Sequence, residues 1–351
     1  MINNNTYDLY RNVQDLLNGR PMYSYQKAHS ETFTNSASLN TQGKMLIIAG
    51  TYKIGRKFGN GNFGDVNLGK NIHTNDFVAI KLEKLNHSSN SLSIENRVYQ
   101  KLQYGDGIPK IFYHGQFMNQ NVLVIELLSL NLEDLFNLCN RRFTLKTICM
   151  IAIQLFKRIE YIHSNNLIYR DIKPENFLIG RQEVNKHKKI YLVDFGLAKE
   201  FINSGGSHIP YSENNTLVGT ARYMSLNTHL GREQSRRDDI ESIGYLLIYF
   251  LKGNLPWQGL HAYSLQERYT KIGETKKNSK IEDLCLGCPK EFENLLRHAR
   301  NLEFMERPNY EMLVKSFENL IYNNYWSIDW EFDWIDKLQS SKNTFYLNET
   351  V

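Results

Sequence analysis

Four polar residues between positions 171 and 194 are of types that can take part in phosphate and magnesium chemistry. Asp171, Lys173 and Asn176 lie within the stretch RDIKPENFLIG, and Asp194 follows in VDFG. A carboxylate can orient a hydroxyl group and accept its proton, and a lysine can neutralise a phosphate that is being transferred. Carboxylate and amide oxygens are ligands that Mg²⁺ prefers. We therefore assign Asp171 and Lys173 to catalysis, and Asn176 and Asp194 to metal binding.

An earlier glycine-rich stretch, GNGNFG, predicts a phosphate-binding loop. Gly59, Gly61 and Gly64 form G-x-G-x-x-G, and the DVNLGK that follows resembles a strand, not the helix that a dinucleotide-binding loop would open. Glycines between two strands let backbone N–H groups approach phosphates. Lys81, which ends VAIK, is predicted to hold the α- and β-phosphates, and Glu95 on the next predicted helix to hold Lys81.

In chain order, these residues match the signature of protein kinases. Val66 completes G-x-G-x-x-G-x-V, and YRDIKPEN and DFG follow as the catalytic loop and the metal-binding loop. Tyr169 departs from the pattern, which has histidine there, and we expect its ring to pack against Phe195. Asp239, in DDIESIG, is predicted to support the catalytic loop. The sequence therefore predicts an α+β fold with two lobes, the protein kinase fold, with ATP and Mg²⁺ as its cofactors.

Hydrophobic periodicity agrees with a small strand-rich lobe that contains one main helix, followed by a larger, mostly helical lobe. A buried strand is predicted at 121–128. Helices are predicted at 91–102, 131–139, 145–164, 238–253 and 289–302. The predicted domains are a flexible extension at 1–44 with one short amphipathic helix, an N-terminal lobe at 45–127, a C-terminal lobe at 128–336 and a tail at 337–351.

The sequence also resembles one kinase family in particular, the casein kinase 1 family, and within it the gamma branch. The resemblance covers about residues 46–335, and its main stretches are GNGNFGDVNLGKN, SNNLIYRDIKPENFLIG, LVGTARYMSLNTHLG and EQSRRDDIESIGY. The stretch IYRD in place of HRD is usual in the gamma branch, which explains Tyr169 as a mark of lineage. The SLN at 225–227 stands where most kinases have A-P-E.

This resemblance implies a monomer that phosphorylates serine and threonine in acidic substrates, or in substrates that already carry an upstream phosphate. A substrate anion site would use Arg222, Arg268 and the backbone N–H of Gly259. An arginine can bind a phosphate with a two-pronged geometry, which supports the assignment of Arg222. A second anion pocket of the family would use Arg170 and Lys199. Its third cation is replaced here by Asn215, so this second pocket is incomplete.

The resemblance also implies an adenine pocket in which apolar side chains enclose the base. The backbone of Glu126 and Leu128 would bind the edge of the base, and Ile125 would close the back of the pocket as a stiff β-branched residue. The apolar residues assigned to this pocket are Phe58, Val66, Ala79, Ile125, Leu128, Leu178 and Val193.

Composition excludes several other classes of protein. The 351 residues contain 4 cysteines and carry a net charge of +5, so neither a disulfide scaffold nor a strongly basic nucleic-acid binder is indicated. The CLGC at 285–288 is more typical of structural cysteines than of a zinc site. The absence of a long apolar run and of a signal peptide favours the cytoplasm, with the nucleus or a membrane surface as alternatives. The sequence after Cys288 contains no cysteine for the lipid anchor that is typical of the gamma branch.

Two alternative functions stay open from the sequence. A kinase fold can serve as a scaffold that binds ATP and partners with little turnover, although the intact Asp171 and Asp194 favour an active enzyme. The basic residues could instead bind nucleic acid, in which case binding should depend steeply on salt concentration.

Overall fold

The computed structural model describes residues 46–61, 64–85 and 91–338. The predicted N-terminal extension with its short helix, and the tail from residue 339, lie outside the described residues. The described chain divides into two units. The smaller unit contains the described residues up to 92 together with 110–127, and the larger contains 93–109 and 128–338. Residues 93–109 thus belong with the larger unit, whereas the sequence interpretation assigned them to the N-terminal lobe.

The smaller unit is built on one antiparallel sheet. Its strands are β1 (Ile47–Ile48), β2 (Tyr52–Gly61), β3 (Gly64–Asn71), β4 (Phe77–Lys84), β5 (Ile111–Phe117) and β6 (Gln120–Glu126). Their order across the sheet is β1-β2-β3-β4-β6-β5. Strand β6 has five consecutive buried residues, so both of its faces are covered and its sequence is a continuous apolar run.

Register divides the residues of this sheet between two faces. One face carries an apolar core made by Ile48, Tyr52, Val78, Ile80, Val122 and Val124. Because side chains alternate along a strand, the neighbouring residues Ala79, Lys81 and Ile125 lie on the other face. Val66 is paired with Lys81, and Ala79 with Ile125, so these four residues share that second face.

The larger unit is mainly helical. Its helices are α1 (Ser91–Lys101), whose first two residues fall in the smaller unit, α2 (Leu132–Leu138), α3 (Leu145–Ser164), α4 (Leu226–His229), α5 (Arg236–Lys252), α6 (Leu265–Asn278), α7 (Ile281–Leu284), α8 (Lys290–Asn301) and α9 (Tyr310–Asn323). Two pairs of short strands accompany them: β7 (Leu167–Ile168) with β10 (Lys199–Glu200), and β8 (Phe177–Ile179) with β9 (Ile190–Leu192).

Helices α3 and α5 form the centre of the larger unit and are buried along most of their length. Their ends are defined by ordinary capping chemistry. The side chain of Thr144 accepts from the N–H of Thr147 at the start of α3, and Ser235 and Asp238 form a reciprocal capping box at the start of α5. Gly253 ends α5 with a φ of 83°, a left-handed conformation that glycine adopts without strain.

These elements confirm the predicted fold class. The predicted helices at 131–139, 145–164, 238–253 and 289–302 correspond to α2, α3, α5 and α8, with bounds that differ by at most two residues. The predicted strand at 121–128 corresponds to β6, which ends at Glu126. Across the described part of the chain, none of the helices has the length and apolar character needed to cross a membrane.

Candidate active site

Asp171 is the centre of a buried hydrogen-bond network in the loop between β7 and β8. Its side chain is 3% exposed. One carboxylate oxygen, Oδ2, accepts from Lys173 Nζ at 2.6 Å and from Asn176 Nδ2 at 3.2 Å. The other, Oδ1, accepts from the hydroxyl of Thr220 at 2.8 Å. A carboxylate has about four acceptor sites, so one further hydrogen bond, such as one from a substrate hydroxyl, fits this arrangement.

The two predicted metal ligands are brought to the same end of the β8–β9 hairpin. Asn176 lies just before β8, and its carbonyl accepts from the N–H of Val193 at 3.0 Å. Asp194 follows Val193 directly and has a left-handed backbone with φ 62°. A carboxylate and an amide oxygen fit Mg²⁺, which commonly takes one or two carboxylates together with substrate phosphates and water. The described residues contain no group of three or more His, Cys, Asp or Glu side chains placed to hold a metal.

Asp239, at the start of α5, binds the backbone of the catalytic loop, which is the supporting role that the sequence predicted. Its side chain is 2% exposed, and it accepts from the backbone N–H groups of Tyr169 at 2.8 Å and Arg170 at 2.9 Å. His163 Nε2 lies 2.8 Å from the same carboxylate, and His163 Nδ1 lies 2.6 Å from the hydroxyl of Tyr310. The loop is therefore held by charge-assisted hydrogen bonds to its backbone.

Tyr169 links the catalytic loop to the metal-binding loop. Its ring contacts the ring of Phe195 edge to face at 5.6 Å between centroids, which confirms the predicted packing. Its hydroxyl donates to the carbonyl of Val193 at 2.6 Å. A tyrosine at this position thus satisfies a carbonyl group next to Asp194.

Glu95 lies on α1 within the larger unit and is 2% exposed. One turn later on this helix, Tyr99 contacts Phe195 edge to face at 4.9 Å. Burial, and then the negative charges of Glu95 and Asp194, raise the pKa of Tyr99 well above its usual range. The larger unit therefore brings Glu95 and Asp194 to the same buried tyrosine.

The smaller unit positions the predicted phosphate and adenine residues on one face of its sheet. Gly59 pairs with Val66 across β2 and β3, and Val66 pairs with Lys81. Among the described residues, a Cβ atom at Gly59 would meet the Cβ of Val66, at 3.7 Å, whereas one at Gly64 would lie 2.0 Å from the carbonyl oxygen of Leu82. Gly64 is therefore required by strand packing, while Gly59 leaves room beside the backbone.

The remaining predicted adenine residues are distributed between the two units. Phe58, Ala79, Ile125 and Glu126 belong to the smaller unit, and Leu128, Leu178 and Val193 belong to the larger. Ala79, Ile125 and Leu128 are buried, and the others are half-buried. Gly61 ends β2, next to residues outside the described part of the chain.

The predicted substrate anion residues lie on three neighbouring parts of the larger unit. The guanidinium of Arg222 donates to the hydroxyl of Tyr223 at 3.2 Å and lies 5.5 Å from the ring of Tyr249. The carbonyl of Arg222 accepts from Trp257 Nε1 at 2.7 Å, which places this residue beside the loop that contains Gly259. Gly259 has φ 74°, and a Cβ atom built there would lie more than 4 Å from the described residues other than its chain neighbours. Arg268 is exposed on α6.

The residues of the second predicted anion pocket are not all together. Arg170 and Lys199 line a cavity of about 300 Å³ with Arg97 and Lys101. Asn215 is not part of its lining, because its side chain is bound to Ser212 and to the carbonyl of Gly231. Lys199 is also paired with Glu233 at 2.8 Å.

Sequence reasoning did not assign a role to Thr220, although its hydroxyl binds Asp171. The two residues are 49 positions apart, and no spacing rule connects them. The only local signal was the position of Thr220 two residues before Arg222. Sequence reasoning also did not single out Lys276 or Trp257, whose side chains bind backbone carbonyl groups of residues 221–224.

Comparison with known families agrees with this geometry. A family model described as the protein kinase domain matches residues 52–317. This match covers most of the chain, including strands β2 to β6 of the smaller unit, the catalytic loop and the helices from α1 to the first half of α9. The chain belongs to the protein kinase family.

Proposed function

We propose that this chain is an active serine/threonine protein kinase of the casein kinase 1 type. It transfers the γ-phosphate of ATP to substrates that are acidic or already phosphorylated upstream of the target residue. The observation that carries this proposal is the buried carboxylate of Asp171, which accepts hydrogen bonds from three donors and has an acceptor site left for a fourth. A scaffold without turnover has no need of such a preorganised base.

In this proposal Asp171 Oδ1, which already accepts from Thr220, receives the substrate hydroxyl and its proton. Lys173 is paired with Asp171, and it brings a compact positive charge close to the transferred phosphate. Asn176 and Asp194 would hold Mg²⁺, which when bound neutralises the charge of the phosphates. Catalysis of this kind is mostly positioning and charge neutralisation, and the rigid loop supplies the positioning.

ATP binding is assigned to the face of the sheet that carries Val66, Ala79, Lys81 and Ile125. Lys81 would hold the α- and β-phosphates. Glu95 would fix Lys81 in the active state, as the kinase pattern implies. The room beside the backbone at Gly59 supports close approach of a phosphate at that glycine.

Preference for primed substrates is assigned to Arg222, Gly259 and Arg268. Among the described residues, the Arg222 guanidinium has one hydrogen-bond partner, the hydroxyl of Tyr223, so its other N–H groups can bind a phosphate. Arg268 is exposed, and the backbone at Gly259 is uncrowded.

The first experiment measures phosphate transfer from ATP and Mg²⁺ to three matched peptides. One has a target serine, one adds a phosphoserine three residues before it, and one has tyrosine in place of the target serine. Wild type is compared with Asp171→Asn, a substitution that keeps the size of the side chain. We expect transfer to serine only, faster on the primed peptide, and a loss of at least about 10²-fold in Asp171→Asn.

Two outcomes would contradict the proposal in different ways. If wild type binds ATP but transfers no phosphate, the chain is a kinase-fold scaffold. If Asp171→Asn is as active as wild type, then Asp171 is not the base and the site is wrongly assigned. Transfer to the tyrosine peptide would remove the serine/threonine assignment but leave the kinase activity.

A further inference from the structure

Lys276, on α6, is a fully buried lysine, with 0% of its surface exposed. Its side-chain nitrogen lies 2.9 Å from the carbonyl oxygen of Ala221, 2.6 Å from that of Met224 and 3.2 Å from His229 Nε2. Burying a lysine costs free energy unless its N–H groups are all satisfied. The partners of Lys276 are groups of the segment 220–226 and of the short helix that follows this segment.

Two aromatic rings complete the surroundings of Lys276. Its nitrogen lies 4.9 Å from the ring centroid of Trp257 and 5.0 Å from that of Tyr245, and these rings contact each other edge to face. Trp257 is itself bound to the segment, because its Nε1 donates to the carbonyl of Arg222 at 2.7 Å. The carbonyl groups of residues 221, 222 and 224 are therefore all held by side chains from one cluster.

The Glu241 side chain binds the end of the same segment. The carboxylate of Glu241, which is 1% exposed, accepts from the N–H of Leu226 at 3.1 Å. Glu241 is kept in place by the hydroxyl of Tyr245 and by Arg300. We define the segment-holding cluster as Lys276, Trp257, Tyr245 and Glu241.

The 220–226 segment needs such support because its residues 220–225 belong to no helix or strand. Backbone groups outside regular structure must find other partners when they are buried. The same segment carries Thr220, whose hydroxyl reaches Asp171, and Arg222, the proposed anion-binding residue. A shift of its backbone would therefore move both residues relative to the reacting hydroxyl.

We propose that Lys276 is a positioning residue for the protein substrate: its hydrogen bonds to Ala221 and Met224 hold the 220–226 segment against the catalytic loop. This inference rests on the proposed kinase function. It assigns a role in substrate binding to a residue far from the motifs that define the family. Lys276 acts through Thr220 and Arg222, and it touches neither ATP nor the substrate.

The protonation state of Lys276 does not change this assignment. Burial lowers the pKa of Lys276 well below its usual range, while the charge of Glu241 raises it. A neutral amine still has two N–H groups, which suffice for the two carbonyl groups.

The test substitutes Lys276→Met, which keeps an unbranched side chain of similar length and removes the N–H groups. The matched control is Lys252→Met. Lys252 also donates to a carbonyl in the larger unit, that of Leu284 at 2.8 Å, but away from the segment. We expect kcat/KM for the peptide to fall roughly 10- to 100-fold in Lys276→Met, as for a misplaced catalytic group. KM for ATP should stay unchanged, and Lys252→Met should behave like wild type.

A second readout separates positioning from a general loss of stability. Hydrogen exchange is measured on the N–H groups of Tyr223 and Met224, which bind the carbonyl of Thr220. We expect exchange at least about tenfold faster in Lys276→Met and unchanged in Lys252→Met, since weaker holding raises local opening. This readout does not require activity, so it tests the positioning role even if wild type transfers no phosphate.

If Lys276→Met does not fold, Trp257→Phe tests the same idea, because it keeps an aromatic ring and removes the Nε1 donor to the carbonyl of Arg222. It should raise KM for the primed peptide several-fold, and more than KM for ATP. Peptide kinetics and segment exchange that both match wild type in these variants would overturn the proposal, whatever happens to the melting temperature.

Discussion

At the scale of single residues, the candidate site is held by side chains that satisfy one another. Asp171 is oriented by a lysine and an amide on its own loop and by a hydroxyl from a distant segment. Tyr169 satisfies the carbonyl next to Asp194, so the missing histidine of the kinase pattern is compensated by a phenol of suitable reach. In the proposed mechanism, each of these bonds fixes a group whose position affects the rate.

The bond from Thr220 to Asp171 can be tested by Thr220→Val, which keeps the shape of the side chain and removes its hydroxyl. A hydrogen bond to a charged group contributes about 1.5–3 kcal/mol, so kcat should fall roughly 10- to 100-fold. Thr220→Ser, which restores the hydroxyl, should retain most of the activity. Equal rates for the valine and serine variants, measured with the unprimed peptide, would show that the bond does not matter.

The anion site can be tested by Arg222→Glu. Reversal of this charge should lower transfer to the primed phosphopeptide about tenfold or more, and transfer to the unprimed peptide much less, because only the former places a phosphate near the guanidinium. Arg142→Glu is the control, since Arg142 is an exposed arginine of the larger unit that lies outside the predicted anion site. An equal loss on both peptides would refute the assignment of Arg222 to a substrate phosphate.

At the scale of elements, helix ends place the charged groups. The capping box of Ser235 and Asp238 starts α5 so that the next residue, Asp239, faces the catalytic loop. The start of α5 therefore ends the preceding loop. It also supplies the carboxylate of Asp239, which accepts from two backbone N–H groups of the catalytic loop.

We expect Asp239→Asn to destabilise this junction. In this variant a neutral amide replaces the buried carboxylate that binds His163 and two backbone N–H groups. These hydrogen bonds become weaker, so the free energy of unfolding should fall by about 3 kcal/mol. Denaturant titration measures this change. Glu311→Gln, which alters an exposed carboxylate in the first turn of α9, should change the free energy by far less. An Asp239→Asn protein as stable as wild type would contradict the supporting role.

Helix α4 makes the protein sensitive to acid through His229. Burial, and then the positive charge of Lys276, lower the pKa of His229 to about 3 from an ordinary value of 6.5. Below pH 6.5 the unfolded chain binds a proton that the folded chain does not, so this stability is present above pH 6.5 and is lost as the pH falls. The loss should reach about 2 kcal/mol at pH 5.

This effect is isolated by comparing wild type with His229→Gln. Other groups titrate in both proteins, so the difference between their free energies of unfolding reports on His229. We expect that difference to shift in favour of the variant as the pH falls from 6.5 to 5, as followed by denaturant titration. A difference that is constant over this range would show that His229 does not resist protonation.

At the scale of the whole molecule, both sets of predicted active-site residues come from one chain. The smaller unit supplies the predicted phosphate residues and part of the predicted adenine pocket, and the larger supplies the rest of that pocket, Glu95, the catalytic loop, and the predicted metal and anion residues. The resemblance to casein kinase 1 implies a monomer. We therefore expect specific activity to be independent of protein concentration, with sedimentation at the mass of one chain. Activity that rises with concentration would indicate that a second copy contributes.

Much of the fold could be predicted because it follows from local patterns of apolar and capping residues. Helices α3 and α5 have apolar residues at helical spacing and ordinary caps, so their bounds were predicted within two residues. The predicted strand at 121–128 was recognised as a continuous apolar run. The assignment of residues 93–109 to a unit could not be predicted, because it depends on which surface the helix packs against.

The sequence by itself determined the protein kinase family and the residues predicted to do its chemistry, because Asp171, Asn176 and Asp194 lie in short motifs whose spacing is local. Only the tertiary structure decided how those groups are held. Thr220 and Asp171 are 49 residues apart, and Lys276 and Ala221 are 55 residues apart. Strand and helix patterns repeat every two or 3.6 residues and carry no information over such distances. Hydrogen bonds act over about 3 Å in space, so packing alone decides which distant residues meet.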